Sequence, residues 1–180
     1  MGMPLFYCLM HREKIAVAMS GGVDSSVAAA LLLEEGYGVI GLTMDLAGVH
    51  GRKCGEEGLR SCCGWRAVED ANRVAAGLGI PHYVLNLRRE FEELVVRDFC
   101  REYALGRTPN PCLRCNERVK FDVLAGKARK LGASFLATGH HARLSRDAVS
   151  GRFLLRKGRD PQKDQSYFLY TLTQGQLAFI

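Results

Sequence analysis

The sequence is short of the features that mark membrane, secreted or disordered chains. No apolar run reaches the roughly 18 residues a membrane-spanning helix needs. Residues 3–10 form an apolar patch, but no basic segment precedes it and no small-residue cleavage site follows, so a signal peptide is not expected. Position 6 is Phe6 rather than Ser or Thr, which argues against N-myristoylation of Gly2. Proline occurs five times and tryptophan once in 180 residues. Internal repeats and low-complexity tracts are absent. Apolar residues make up 47% and charged residues 24%, close to ordinary globular usage, which excludes disordered and collagen-like classes. Lysine is scarce, with seven Lys against 18 Arg.

What is present points to a polyanionic partner. The net charge is +6, and arginine, which carries most of it, offers a flat five-donor fork suited to phosphate. The seven cysteines (Cys8, Cys54, Cys62, Cys63, Cys100, Cys112 and Cys115) are odd in number and show no disulfide-framework spacing. A reducing, cytoplasmic setting is therefore expected, in which thiols can do chemistry or hold metal.

Strand and helix signals alternate along the chain. Residues 14–19 (KIAVAM), 38–44 (GVIGLTM), 82–87 (HYVLNL) and 134–138 read as strands. Residues 27–35, 65–78, 88–103 and 117–131 carry helical spacing, while 47–64 and 106–116 read as loops. This alternation predicts an α/β fold, a doubly wound parallel sheet of Rossmann-like type with helices on both faces. Three segments are expected: a leader over 1–13, a nucleotide-binding domain over 14–142, and the start of a further region over 143–180. In the last, residues 143–145 and 153–156 resemble hairpin strands around Ser150 and Gly151, and 169–180 resembles the beginning of a helix.

The turn after the first strand reads Ser20-Gly21-Gly22-Val23-Asp24-Ser25-Ser26. Two glycines allow close approach of backbone to a ligand. The amides of the helix that follows favour an anion. Asp24 would repel phosphate unless Mg²⁺ stood between them, so a metal–nucleotide ligand is expected. The string lacks the Lys of GxxxxGK[ST] and is not GxGxxG. It resembles the pyrophosphate-binding loop of the ATP pyrophosphatases, which adenylate a substrate oxygen with ATP.

A second string, Thr108-Pro109-Asn110-Pro111-Cys112-Leu113-Arg114-Cys115-Asn116, precedes Lys120-Phe121. Its prolines stiffen the chain around two thiols. Arg107, Arg114, Arg118 and Lys120 are expected to surround the thiols and favour thiolate. A positioned thiolate is a nucleophile candidate; a buried inert cysteine and half of a metal site are the other readings. Together with Ala137-Thr138-Gly139-His140-His141-Ala142-Arg143 and Lys163-Asp164-Gln165-Ser166-Tyr167-Phe168-Leu169, this string is similar to the signature of the tRNA-specific 2-thiouridylase family.

The resemblance implies ATP-dependent 2-thiolation of the wobble uridine of tRNA. Uracil O2 is adenylated, and a cysteine persulfide then supplies sulfur. It implies that Ala18, Met19, Ser20, Gly21, Gly22, Val23, Asp24 and Ser25 bind ATP, with Met44 against the adenine and Gly139 in contact. It implies that Asn110, Pro111 and Cys112 face the target base, and that Cys115 is the catalytic thiol. Lys163, Asp164 and Gln165 would contact tRNA, with His140 nearby. ATP, Mg²⁺, tRNA and a sulfur carrier or cysteine desulfurase relay are the implied cofactors and partners, with no membrane.

Two departures from the family pattern open alternatives. Many members carry Asp where Cys112 stands. The resulting CxxC allows Cys112 and Cys115, with a further cysteine, to hold an iron–sulfur cluster such as [4Fe–4S]. Zinc would draw on Cys54, Cys62 or Cys63. The family's persulfide cysteine lies past KDQSYFLY, where it is expected beyond Ile180, since no cysteine follows Cys115. A truncated tRNA- and ATP-binding module is therefore the other reading. The seven Lys or Arg against two Asp over 143–163 suit contacts to a phosphate backbone.

Overall fold

The computed structural model describes residues 13–46 and 65–180. The predicted loop over 47–64, residues 1–12 of the leader expected over 1–13, and Cys8, Cys54, Cys62 and Cys63 lie outside the described residues. The central sheet holds β1 (Lys14–Ala18), β2 (Gly38–Asp45), β3 (His82–Asn86) and β4 (Phe135–Thr138). Its order is β3-β2-β1-β4 and every pairing is parallel. The chain moves outward from β1 to β2 and β3, then returns to the other side of β1. The gap between the ends of β1 and β4 is therefore the topological switch point, where ligands of such sheets bind.

Helices cover both faces. α1 (Val23–Glu34) and α2 (Trp65–Leu78) lie on one. Side chains alternate along β1: Val17 points into a core with Met19, Ala29, Val39, Ala71, Ala75 and Ile80. Ala16 points to the opposite core, with Ile40, Leu42, Leu87, Val95, Val119 and Leu124. That second core is built by two longer helices. α3 covers 88–104 and contains a π-helical stretch, Glu92–Val96, between Arg88–Phe91 and Arg97–Ala104. α4 covers 111–130, with π-helical Cys115–Leu124 between Pro111–Arg114 and Ala125–Lys130.

The remainder forms the hairpin β5 (Ala142–Arg146) and β6 (Phe153–Lys157), a 3₁₀ turn Ser166–Leu169 and the short α5 (Gln174–Leu177). The single helix expected over 169–180 is instead this turn plus α5. Thr173 starts α5 with a capping box to Gln176, which restarts the helix just after the turn. Leu169, Leu172, Leu177 and Phe179 join the α3–α4 core, and the Leu136 amide donates to the Phe179 carbonyl at 2.8 Å.

α1 begins at Val23, four residues before the expected start. Ser25 and Ser26 lower helix propensity inside a helix. In the first turn their hydroxyls instead donate to the Gly22 carbonyl, at 3.1 and 2.9 Å. The loop expected over 106–116 is likewise corrected: the helix starts at Pro111. Proline is well suited to the first helical position because its missing N–H would have had no partner there. Asn110 caps it, its side-chain oxygen accepting from the amides of Cys112 (3.0 Å) and Leu113 (3.3 Å).

Candidate functional site

The switch point is built from both strand ends. Gly21 takes φ +73°, and a Cβ there would meet the Ala67 carbonyl oxygen at 2.6 Å, so only glycine lets the turn pass α2. Gly22 caps α1 without any side-chain hydrogen bond, which leaves the first-turn amides pointing out for a ligand. From the other side, a Cβ on Gly139 would lie 2.5 Å from the Ser25 amide nitrogen. The end of β4 thus presses directly on the first turn of α1. Ser25 is buried, and its hydroxyl accepts from the Ser20 amide at 3.2 Å, which folds the turn on itself.

Beneath the turn, the Thr43 hydroxyl donates to the Met19 carbonyl at 2.9 Å. Its single proton is then used, so the 2.8 Å contact with His82 requires His82 Nε2 to be the donor. Burial holds the His82 pKa below its usual value, which keeps the ring neutral for this role.

A cleft of about 180 Å³ opens above these strand ends, and Ala18, Met19, Ser20, Asp24, Ser25 and Met44 form one side of it. Thr138, Gly139 and His140 form the next, and Cys115, Lys120 and Gln165 close it. Residues 95 positions apart in sequence, Ser20 and Cys115, thus share one cavity. Met44, one residue before the end of β2, lines the cleft.

The second helix string is explained by this cavity. Cys115 is half-buried at its wall, whereas Cys112, one turn earlier, is exposed. Asn116 is buried; its Nδ2 donates to the Phe168 carbonyl at 3.4 Å and its Oδ1 accepts from Lys120 Nζ at 2.8 Å. Phe121 is buried and its ring lies 5.8 Å from that of His140. Burial, then Lys120 and His141, push the His140 pKa down to about 4, so the ring is neutral near pH 7. His140 Nδ1 stands 2.8 Å from the Thr138 hydroxyl.

The arginines expected to surround the thiols are engaged elsewhere. Asp98, a buried carboxylate on α3, binds Arg101 at 2.7 Å, Arg114 at 3.0 Å and Arg118 at 3.6 Å. Arg114 also binds Glu117 at 2.9 Å, and Arg107 binds Glu102 at 2.7 Å. Glu117 is the main cause of a raised Arg114 pKa, and Arg107 holds the Glu102 carboxyl below its usual range. Lys120 is the cation that shares the cleft with Cys115. Sequence spacing could not reveal this, because Asp98 lies sixteen residues from Arg114.

A shallower recess adjoins the cleft, lined by Asp24, His141, Gln162, Lys163, Asp164 and Gln165. His141 Nε2 lies 3.2 Å from Asp24 Oδ1, a contact the sequence did not announce. Gln165 clasps His141 by two bonds of 2.9 Å, its side-chain oxygen accepting from the His141 amide and its own amide donating to the His141 carbonyl. Lys163 is exposed. The Asp164 carboxylate faces inward and accepts from Gly158 N at 2.7 Å, Ser166 N at 3.2 Å and Ser166 Oγ at 2.9 Å. The Gly158 bond leads the causes that hold its pKa below the usual range. Asn110 caps α4 and Pro111 opens it, with Cys112 on the same first turn.

Among the described residues, no group of three His, Cys, Asp or Glu is placed to hold a metal ion. The Cys112–Cys115 pair supplies two thiols, and any further cysteine ligand from Cys54, Cys62 or Cys63 lies outside the described residues. No described helix is long and apolar enough to cross a membrane.

Comparison with known proteins gives a consistent result. Residues 13–180 match the family described as tRNA methyl transferase HUP domain. The tRNA-specific 2-thiouridylase MnmA of Geotalea uraniireducens is 57% identical over 169 residues, covering 93% of this chain and 44% of its own length. That of Geobacter metallireducens is 57% identical over 168 residues, covering 93% and 45%. That of Pelotomaculum thermopropionicum is 53% identical over 169 residues, covering 94% and 46%. The chain spans less than half the length of these relatives.

Proposed function

The chain belongs to the tRNA methyl transferase HUP domain family, and from that premise we propose that it is the ATP-binding catalytic part of a tRNA-uridine 2-sulfurtransferase. The observation that carries the reading is the shared cleft. It joins the glycine turn, Cys115, Gly139 and Gln165, residues from four separated strings, with Met44, at the switch point of the sheet.

The donor set fits a nucleotide triphosphate. The uncapped amides after Gly22, including that of Ser25, suit a pyrophosphate group together with the Ser20 hydroxyl; the Ser25 hydroxyl, donating to the Gly22 carbonyl, holds the turn in shape, and Ala18, Met19, Gly21 and Val23 complete it. Asp24 would hold Mg²⁺, which neutralises phosphate charge when bound. Met44 and Leu42 offer apolar surface to the adenine. Gly139 keeps β4 close enough for both strand ends to meet one ligand.

In this reading ATP supplies the adenylyl group that activates uracil O2, with pyrophosphate as leaving group. The chain's residues bind and orient the base. Asn110, Pro111 and Cys112, at the start of α4, would face the target base, with Cys115 lining the cleft. Sulfur comes from a cysteine persulfide, fed by a sulfur-carrier or desulfurase relay. Cys115 attacks the inner sulfur of that persulfide, forming a disulfide and releasing hydrosulfide, which adds at C2 and expels AMP; an external dithiol reductant then restores both thiols. Neutral His140 holds the floor beside Gly139, and Lys163, Asp164 and Gln165 form the tRNA-facing edge.

The test is tRNA-dependent exchange of labelled pyrophosphate into ATP, which requires adenylation and no sulfur donor. Exchange that depends on the target uridine and is lost in Asp24→Ala is expected. Failure of tRNA to stimulate exchange by a folded, ATP-binding chain would sink the reading. With a sulfur relay supplied, nucleoside mass spectrometry should report 2-thiouridine.

A further inference from the structure

Two tyrosines on the turn beside the cleft have no role in the site described above. Tyr167 is 60% exposed and Tyr170 is 63% exposed. They lie on and just after the 3₁₀ turn Ser166–Leu169, where side chains three residues apart eclipse, so both rings project from one side. Their ring centroids are 5.8 Å apart with planes tilted by 32°. Phe168 backs the first ring edge-on at 5.7 Å. Leu169, between them, is buried at 4% exposure and anchors the turn in the α3–α4 core.

The turn is tied to the cleft at two points. Asn116, the residue after Cys115, donates to the Phe168 carbonyl at 3.4 Å. Gln165, two residues before Tyr167, lines the cleft and is clasped to His141. The tyrosine rings are therefore held on a fixed support next to the cavity mouth. Folding leaves two large rings in water where an aromatic side chain ordinarily buries about 150–250 Å².

The surroundings select the occupant. Seven Lys or Arg against two Asp occupy 143–163, directly before this turn. Arg143, Arg146 and Arg156 sit on the hairpin and are exposed, as is Lys163. A basic strip suits a phosphate backbone, and exposed rings suit the faces of unpaired bases. Single-stranded RNA presents both groups at nucleotide spacing, and loop bases splayed from a stem are recognised by such stacking.

Resting on the reading above, we propose that Tyr167 and Tyr170 form a stacking platform for an unpaired RNA base that neighbours the base entering the cleft. The platform recognises a π-face, so it positions the RNA loop with little demand on the identity of that neighbour.

The experiment measures binding of an anticodon stem-loop RNA to the chain by fluorescence anisotropy. The Tyr167→Ala/Tyr170→Ala double variant should bind roughly tenfold or more weakly. The Tyr167→Phe/Tyr170→Phe variant keeps the rings and should bind within about twofold of the starting protein. ATP titration of each variant reports that the fold and cleft are intact. Abasic sites placed on either side of the target uridine should, at one position, erase the difference between the starting protein and the alanine variant. Equal binding by the alanine variant, or a difference that survives both abasic sites, overturns the platform while leaving tRNA recognition standing. Failure of the unaltered chain to bind the stem-loop refutes the tRNA reading and this inference with it.

Discussion

Removing the charge of Asp98 tests how the thiol-bearing helix is held. Its carboxylate is 6% exposed and accepts charge-assisted bonds from Arg101 and Arg114, with Arg118 slightly farther away. Arg114 lies between Cys112 and Cys115, so Asp98 ties α3 to the first turn of α4. Breaking a buried pair by deleting one partner costs about 3–5 kcal/mol when the other charge stays buried. Here the arginines are partly exposed, 67%, 38% and 36% for Arg101, Arg114 and Arg118, and each can turn to water. The cost of Asp98→Asn is therefore lower, about 2–3 kcal/mol. For a chain of this size, ~2–4 °C per kcal/mol converts that to a fall in Tm of roughly 4–12 °C. Circular dichroism melting measures it. A fall below about 2 °C would refute the claim that this carboxylate organises the α3–α4 junction. Faster alkylation of Cys112 in the variant would place the loosening at the start of α4.

Three further outcomes follow from the geometry. Gly139→Ala puts a Cβ 2.5 Å from the Ser25 amide, so ATP binding measured by calorimetry should fall at least tenfold while the chain still melts cooperatively. His140, with its pKa pushed down to about 4 against an ordinary value near 6.5, binds more protons unfolded than folded between those values. Stability should therefore decline as pH falls from about 6.5 toward 4, and urea midpoints across that range should flatten in His140→Gln. Saturating ATP should slow alkylation of Cys115 without protecting exposed Cys112 or Cys100, read by peptide mass spectrometry.

The architecture was legible because its signals are local. Residues 14–19 alternate into two cores, and the 65–78 periodicity matches α2 (Trp65–Leu78) residue for residue. Strand–helix alternation then leaves few topologies to choose among. The errors came where a local cue had two meanings. Pro111 reads as a loop signal by composition, yet Asn110 before it and its own place at the first helical position make it a helix start. Ser25 and Ser26 disfavour a helix interior and favour its first turn. The π-helical stretches at 92–96 and 115–124 shift the helical register by a residue, which a 3.6-residue period does not encode.

The site divides along the same line, and the division says which inferences about thiol chemistry hold. Three of the strings that resemble the family meet at one cleft because each sits at a strand end or on the helix beside it, and Gln165 of the fourth reaches it from the segment before the 3₁₀ turn. Order in sequence and parallel topology place the glycine turn at the end of the first strand; the other strings were singled out by resemblance. The electrostatics of the thiols were not predictable in this way. Arg107, Arg114 and Arg118 cluster around Cys112 and Cys115 in sequence, but their charge is spent on Asp98, Glu102 and Glu117. Two of those carboxylates arrive from α3 through tertiary packing. Lys120, held by Asn116, lines the same cleft as Cys115, as does the first turn of α1. Lys120, which shares the cleft with Cys115, is therefore the charge to test at this thiol ahead of arginines already paired with carboxylates. Lys120→Met should accordingly slow Cys115 alkylation and shift its pH profile upward, whereas Arg107→Met, which breaks an exposed pair with Glu102, should leave that profile in place.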